Sequence, residues 1–359
     1  MSKPDIILHH YQGSPYAEKV IAALRVKGLP WCSVSTSPMM PRPLLEPLTH
    51  GYRRIPVMQI GNNIYCDTAL ILDELERRYP EENISLSSYP GAGTAISDMI
   101  ATWVDKQLFS NAKDQMPWGA TAEEQKLSPL HAVFGNKEFL ADRAQLTGGR
   151  PINTETIKQM QPLLLDQLIS NLDTLEYILH GPMQALQQNR FPRPEGGWIL
   201  GTMLPSAADF SVYAIMWWLI STKRAPKYVT PEYYPCIFEW YKHMNECMKR
   251  HRHPTQDRIK LSGEEALETA RQAAKSNPNI GFVATNEGAH PEEKRKPGEF
   301  VSVTPNDYGK VPVKGQILEI TRRRVTIRPE PLKGHHDVIV AIHFPRNGYM
   351  IVPARKASL

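Results

Sequence analysis

Three short stretches near the N-terminus carry residue types whose positions suit them to chemistry. The first, Ser14-Pro15-Tyr16-Ala17, lies between a short apolar run and the start of a predicted helix. A group at a helix N-terminus meets unpaired backbone N–H donors and the positive end of the helix dipole. Both features favour a bound anion or thiolate. The sequence therefore predicts an anion or thiolate site at this stretch.

The other two stretches add groups that would hold a peptide-like ligand. Arg54-Ile55-Pro56-Val57 opens a strand, where a proline donates nothing to the strand ladder. If Pro56 is cis, the N–H and C=O of Val57 are left free to pair with an extended peptide. Asp67-Thr68 stands at a second helix N-terminus, which suits a carboxylate or an α-amino-acid group. A thiol site, a peptide-pairing strand and an amino-acid clamp together predict a glutathione site.

The elements that must position these stretches follow a thioredoxin-like order. The apolar patterns predict a strand over 6–10, a helix over 16–27, a strand over 31–35, a hairpin over 57–66 and a helix after Asp67. We read 80–93 as a linker. The region beyond it is predicted to be helical, at about 94–116, 153–180, 206–223 and 233–250. The polar excursion over 118–150 has no clear pattern.

The chain changes character after His253-Pro254. One helix, over about 262–275, is followed by five short β-like runs, over 300–304, 316–321, 325–328, 338–344 and 349–352. Residues 251–359 hold 18 Lys and Arg against 12 Asp and Glu, a net charge of +6, whereas the whole chain carries +5. The basic charge therefore belongs to the tail, which suggests a separately composed module. The predicted domains are 1–82, 92–253 and 254–359.

Residues 5–80 resemble the N-terminal domain of glutathione S-transferases, and the resemblance extends over roughly 1–250. Ser14-Pro15-Tyr16-Ala17 is similar to the Cys-Pro-Phe-Ala of omega-class members, and Pro56 matches the family's cis-proline. Asp67-Thr68 stands where the family usually has Glu-Ser. Ser206-Ala207-Ala208-Asp209 matches the capping box of the helical domain. The implied fold is an α/β thioredoxin-like domain, an all-α C-terminal domain and a small β-rich extension.

The resemblance implies that glutathione is bound at Arg54, Pro56, Val57, Asp67 and Thr68. A hydroxyl donor at a helix N-terminus would lower the pKa of its thiol and stabilise the nucleophile. We assign this donor role to Ser14, with Tyr16 as the weaker candidate. Because a serine replaces the omega-class cysteine, mixed-disulfide chemistry is disfavoured, and the shorter Asp67 predicts a lower affinity. Arg54 matches a position that often touches glutathione, and a solvated charge is an equal alternative.

The electrophilic substrate is expected between the two domains. His10, Trp103 and Gln107 are the candidate contacts, since Trp103 and Gln107 share a helix face at i, i+4. For His10, a structural role as a hydrogen-bonded histidine is an equal alternative to a substrate contact. For Trp103, the alternative is a position in the core. Trp217 lies in an apolar run, where a core position is favoured.

The tail resembles the extra domain of certain fungal transferase-like proteins, some of which belong to natural-product gene clusters. That resemblance implies thiolate addition to an electrophilic or conjugated carbon of an apolar substrate. The product is either released as a conjugate or returned as the other geometric isomer, as in the trans-to-cis step of pseurotin-type polyketides. The alternative from another class is a non-catalytic binding or regulatory protein that acts through its C-terminal domain. The resemblance also implies a homodimer.

Several function classes are disfavoured by the sequence. The composition, 41% hydrophobic and 22% charged, is that of a folded globular chain. The longest apolar run, over 210–220, is about half the roughly 20 residues that span a membrane.

Four cysteines without a CxxC pair indicate a reducing, cytoplasmic setting. The histidines lack structural-zinc spacing, so no metal is assigned. We read Arg322-Arg323-Arg324 as a solvated sheet face rather than a nucleic-acid site.

Overall fold

The computed structural model describes residues 4–80, 92–187, 196–202, 204–254, 259–276 and 288–355. Most of the linker predicted over 80–93 lies outside these residues.

The N-terminal region has the predicted thioredoxin-like order. Its elements are β1 (Ile6–His10), α1 (Pro15–Val26), β2 (Cys32–Ser35), α2 (Glu46–Thr49), β3 (Val57–Ile60), β4 (Asn63–Cys66) and α3 (Thr68–Arg78). Strand β1 pairs in parallel with β2 and antiparallel with β3, and β3 pairs antiparallel with β4. The parallel β1–β2 pair requires a crossover, which α1 supplies.

A helical domain follows, as predicted. Its helices are α4 (Ala92–Trp103), α5 (Phe109–Asp114), α6 (Pro129–Gly135), α7 (Lys137–Leu146), α8 (Thr154–Gln187), α9 (Ala207–Ser221) and α10 (Pro235–His251). The first predicted helix is interrupted by a π-helical turn over Val104–Leu108, between α4 and α5. The unassigned excursion forms α6 and α7, which pack Phe134 and Phe139 against Trp218 and its neighbours.

The two domains share one apolar core. Helix α1 packs against α9 and α10, and the core between them includes the fully buried Leu24, Phe210 and Trp240. The Asp209 carboxylate is buried at the start of α9 and accepts from the backbone N–H of Ser206 at 2.9 Å, as the capping box predicts. The apolar run over 210–220 is therefore a core helix.

The C-terminal extension is built from one helix and six strands within the described residues. These are β5 (Ile259–Leu261), α11 (Gly263–Ser276), β6 (Phe300–Pro305), β7 (Val313–Ile320), β8 (Arg324–Arg328), β9 (Ala341–Pro345) and β10 (Tyr349–Pro353). The five predicted strands are all present, with their ends moved by a few residues. Strand β5 was not predicted, because three residues of mixed polarity give no periodic signal.

The extension continues the N-terminal sheet instead of forming a sheet of its own. The ten strands run in the order β10-β6-β7-β8-β9-β4-β3-β1-β2-β5. On one edge β9 pairs in parallel with β4, placing Tyr65 opposite His343. On the other edge β5 pairs in parallel with β2. The change of composition near residue 254 therefore marks a change of charge and not the end of the sheet.

A buried ion-pair network fastens the extension to α3. The Glu74 carboxylate, whose side chain is 1% exposed, lies 2.6 Å from Arg77, 2.6 Å from Arg78 and 3.2 Å from Arg324 of β8. The expectation that the arginine run is a solvated face is therefore wrong for Arg324. Its neighbour Arg323 lies 3.2 Å from Asp98. Two of the three arginines in the run are therefore paired with carboxylates that lie far away in the sequence, Asp98 and Glu74.

A buried histidine sits at the same seam and predicts sensitivity to acid. His343 stacks on Tyr65 with ring centroids 4.4 Å apart, donates from Nε2 to Asn63 Oδ1 at 3.0 Å and accepts the Thr326 hydroxyl at Nδ1 at 2.8 Å. Burial, together with the nearby positive charge of Arg324, lowers the pKa of His343 to about 3.

We expect the free energy of unfolding to decrease as the pH falls from about 6.5 toward 3. Over this range the unfolded chain protonates His343 and the folded chain does not, so stability is lost on acidification. The single residue accounts for about 2 kcal/mol between pH 7 and pH 5. Urea unfolding of the His343→Gln variant should show a smaller loss over this interval. The exposed His336→Gln control should keep the wild-type dependence, and an unchanged slope in His343→Gln would contradict the assignment.

No helix among the described residues is long and apolar enough to cross a bilayer. In the same part of the chain, no group of three or more His, Cys, Asp or Glu residues is arranged to hold a metal ion. All four cysteines are free thiols; Cys32, Cys66 and Cys247 are buried, and Cys236 is half-buried.

Candidate functional site

The strand register brings the three N-terminal stretches to one end of the sheet. Val57, the first residue of β3, lies opposite His9 near the end of β1 and opposite Cys66 at the end of β4. Ser14 follows β1 and Asp67 follows β4. The grouping predicted from residue types alone is therefore also a grouping in space.

Ser14 is the N-cap of α1. Its hydroxyl oxygen accepts the backbone N–H of Ala17 at 3.2 Å, and Pro15 occupies the first helical position, where no N–H is needed. Ser14 makes no other side-chain hydrogen bond within the described residues, so its hydroxyl hydrogen is left for a ligand. Ser14 is only 2% exposed, which means that a ligand must reach it through the groups that cover it.

The strand start and the second helix N-terminus have the predicted backbone features. The Ile55–Pro56 bond is cis, and both Pro56 and Val57 are buried. Asp67 caps α3 by accepting from the Ala69 N–H at 3.1 Å, while its own φ is +80°. A positive φ in a non-glycine residue costs of order 1–3 kcal/mol and is typical of ligand sites. Thr68 is the first residue of α3 and is buried.

Arg54 is neither free nor solvated. Its side chain is 13% exposed and forms an ion pair with Asp307, which lies in the loop after β6. Nη2 also donates to the Tyr308 carbonyl at 2.6 Å, and the guanidinium carbon lies 4.1 Å from the centre of the Tyr308 ring. Arg54 Nη1 is 3.6 Å from Asp67. The C-terminal extension therefore supplies the main partners of this candidate glutathione contact.

The extension reaches Asp67 as well. The Tyr349 hydroxyl, at the start of β10, donates to Asp67 Oδ2 at 3.1 Å and lies 2.9 Å from the Tyr52 hydroxyl. Sequence reasoning missed Asp307, Tyr308 and Tyr349 as site residues. The available signal was the turn-forming Asn306-Asp307 followed by an aromatic residue, but nothing local shows which distant surface such a turn meets.

Tyr16 lies beside the same loop. Burial raises its pKa well above the usual value of a tyrosine, and the proximity of Tyr308 and Asp105 adds to the increase. Its ring packs edge-on against Phe109 at 5.0 Å. The phenol stays protonated at neutral pH, so Tyr16 is restricted to hydrogen bonding and does not serve as a base.

The three candidate substrate contacts differ in their surroundings. His10 Nε2 lies 2.8 Å from the Ser33 hydroxyl, and its ring packs edge-on against Trp31 at 5.7 Å. Trp103 is half-buried and packs against the main core. Gln107 is exposed and lies in the π-helical turn, where the wider i→i+5 bonding changes the register from the α-helical spacing assumed above. Trp217 is half-buried between two apolar clusters.

Comparisons with known proteins agree with this geometry. Residues 8–83 match the family model of the glutathione S-transferase N-terminal domain, and residues 123–253 match a domain of unknown function, DUF7962. No curated protein matches the sequence.

Several solved structures are similar to this chain, and one is similar over nearly its whole length. A GST-like protein from Pseudomonas syringae, 26% identical, matches 98% of this chain and 100% of its own, with a TM-score of 0.63. Rice GST1 in complex with glutathione is 16% identical over 79% of this chain and 100% of its own, with a TM-score of 0.47. Glutathione transferase Omega 3C from Trametes versicolor is 14% identical over 70% and 90%, with a TM-score of 0.46. The chain therefore has an N-terminal domain that matches the glutathione S-transferase family model, followed by a helical domain, and its fold is that of a GST-like protein.

Proposed function

We propose that this protein binds glutathione at the end of the N-terminal sheet and uses the Ser14 hydroxyl to stabilise its thiolate. The match to the glutathione S-transferase N-terminal domain and the GST-like fold support a glutathione-related transferase function in general. The observation that carries the finer proposal is the Ser14 hydroxyl, which caps α1 and has its hydrogen uncommitted. A free cysteine thiol has a pKa near 8.5, so roughly a few per cent is thiolate at neutral pH. A donor together with a helix N-terminus increases that fraction.

The neighbouring groups take the roles that their positions suit. The backbone of Val57, after the cis Pro56, would pair with the cysteinyl residue of glutathione. Asp67 and Thr68, at the N-terminus of α3, would hold its α-amino-acid end. Arg54 would meet a carboxylate once its present partners leave.

The thiolate then attacks an electrophilic carbon of an apolar substrate. Addition to a conjugated olefin forms a C–S bond and places the electron pair on the conjugated system, which leaves a rotatable single bond. Protonation and release give the conjugate. Rotation followed by elimination of the thiolate gives the other geometric isomer and regenerates glutathione. We propose His10, Trp103 and Gln107 as substrate contacts, a fungal secondary-metabolite substrate, and a cytoplasmic homodimer.

Two measurements test the proposal: the binding of glutathione and the consumption of its thiol during the reaction. Calorimetric titration of the protein with glutathione is expected to show saturable heat. In a mixture of protein, glutathione and a conjugated polyene, transfer consumes one thiol per product, whereas isomerisation changes the olefin geometry with no net loss of thiol. Stoichiometric thiol loss would therefore argue against the isomerase version. If no heat is measured and no olefin reacts, the enzyme proposal fails.

A non-catalytic binding function is the second candidate. It is favoured by the engagement of Arg54 and Asp67 by the extension and by the burial of Ser14. A protein of this kind would have no glutathione-dependent turnover, and its partner contacts would lie on the C-terminal extension.

A further inference from the structure

We propose that the segment Asp307-Tyr308-Gly309 is an internal occupant of the candidate glutathione site and must leave before glutathione binds there. The proposal rests on the proposed function of that site. It makes the C-terminal extension an autoinhibitory element, whose sheet is fixed and whose loop between β6 and β7 is exchanged for ligand.

The charges of the segment match those that a ligand would present. The Asp307 carboxylate is held between two cations, Arg54 of the N-terminal domain and Lys106 of the π-helical turn, with Lys106 Nζ at 2.9 Å from Oδ2. A carboxylate paired with two cations is the arrangement that a carboxylate of glutathione would form with the same side chains. The Asp307 carboxylate and a carboxylate of glutathione cannot occupy the same position on Arg54 at the same time.

The backbone and ring of Tyr308 fill the space beside this pair. The Tyr308 carbonyl accepts from Arg54 Nε at 3.2 Å and Nη2 at 2.6 Å, and the ring lies over the guanidinium. On its other side Tyr308 approaches Tyr16 closely enough to raise the pKa of that phenol further. Tyr308 therefore lies between Arg54 and the first turn of α1, which is where the thiol end of glutathione is proposed to lie.

The segment is anchored on its far side by one close backbone contact. The Gly309 N–H donates to the Leu146 carbonyl of α7 at 2.7 Å. Gly309 has φ +61°, and a Cβ built there would approach a Leu146 methyl at 3.1 Å, so a glycine suits both the backbone and the space. The excursion that contains α7 thus has a definable role, which is to hold the closed loop.

The outer ion pair of the loop is partly exposed. The side chains of Asp307 and Lys106 are 28% and 54% exposed, and ion pairs at such exposure contribute little to stability. The Arg54 contacts are more protected, since the Arg54 side chain is 13% exposed, and a carboxylate of glutathione would have to replace them. By contrast, the Glu74 network between α3 and β8 is buried. The loop can therefore open while the ten-stranded sheet stays intact.

The test compares glutathione affinity by calorimetry in the wild-type protein and in the double variant Asp307→Asn, Tyr308→Ala. If the loop is open in only a fraction of the molecules, the apparent Kd for glutathione equals the intrinsic Kd divided by that fraction. We expect the variant to bind glutathione at least about tenfold more tightly. Asp337→Asn is the matched control, since Asp337 pairs with Arg271 at 2.7 Å in the extension and does not contact the site. Thermal melts of all three proteins should show cooperative unfolding, which checks that each is folded.

The outcomes separate the two proposals. Tighter binding by the double variant, with wild-type affinity in the control, supports the occupied site. Equal or weaker binding by the variant, when the wild type binds, overturns the loop proposal alone. If neither protein binds glutathione, the proposed function fails and the loop proposal fails with it.

Hydrogen exchange gives a second readout in the unmodified protein. Saturating glutathione is expected to increase exchange at the Gly309 amide, because opening breaks its bond to the Leu146 carbonyl. The amides of β8 and β9 should keep their protection. Unchanged or greater protection at Gly309 in the bound protein would overturn the proposal.

Discussion

Replacement of Ser14 with alanine is expected to lower glutathione-dependent turnover about a hundredfold, because the developing or bound thiolate loses the Ser14 hydroxyl as a donor. The helix N-terminus and the Val57 strand remain, so glutathione binding should weaken much less than turnover. Initial rates at saturating and limiting glutathione separate the two effects, and kcat should carry most of the loss.

The same substitution also removes a helix cap, and that contribution must be separated. The Ser14 hydroxyl accepts the Ala17 N–H, and loss of such a cap costs about 1 kcal/mol of stability. Ser128→Ala is a matched control, because Ser128 is also an N-cap followed by a proline, at the start of α6. The control should lose similar stability and keep full turnover. Unchanged turnover in Ser14→Ala would remove Ser14 from the mechanism.

Replacement of Glu74 with alanine is expected to reduce the free energy of unfolding by about 3 kcal/mol, because it removes the buried carboxylate that pairs with Arg77, Arg78 and Arg324. Arg324 is itself buried and still has Glu319 as a partner, so the loss lies at the lower end of the range for a broken buried pair. Burial alone would raise the pKa of Glu74, but hydrogen bonding from Arg77 and the charges of Arg78 and Arg77 hold it at about 2. The stabilisation is therefore complete above the unfolded pKa near 4.3 and is lost as the pH falls toward 2. Urea denaturation at pH 7 measures the effect.

An exposed ion pair provides the comparison for Glu74. Glu123 pairs with Lys126 at 2.9 Å on a surface turn, with a side chain that is 83% exposed. Glu123→Ala should change stability by less than about 1 kcal/mol, as exposed pairs do. A similarly small effect for Glu74→Ala would mean that the extension is not fastened to α3 through this network.

The parts of the site that were predictable from sequence depend on local signals. Ser14 before a proline and a helix pattern marks an N-cap, Pro56 marks a strand start, and Asp67 marks a second cap. Each signal lies within a few residues of the group it positions. The hairpin at Gly61-Asn62 then fixes the register that brings the strand start and the second cap together.

The parts that were not predictable depend on pairing between distant segments. The residues Ala341–Pro345 are typical of a strand, but nothing in their sequence shows that this strand pairs with β4. The alternation rule placed Arg324 on a solvated face because its partner, Glu74, lies on a helix far away in the chain. The contact between Tyr308 and Arg54 follows from that sheet pairing, and so it too was not visible in the sequence.

A crystal structure of the protein with glutathione would show directly where the thiol lies. We expect the tripeptide backbone to lie alongside Val57, its sulfur to lie within hydrogen-bonding distance of Ser14 Oγ, and the segment Asp307-Tyr308-Gly309 to have moved away from Arg54. A glutathione molecule bound elsewhere, or one at this site whose sulfur makes no contact with Ser14, would contradict this expectation.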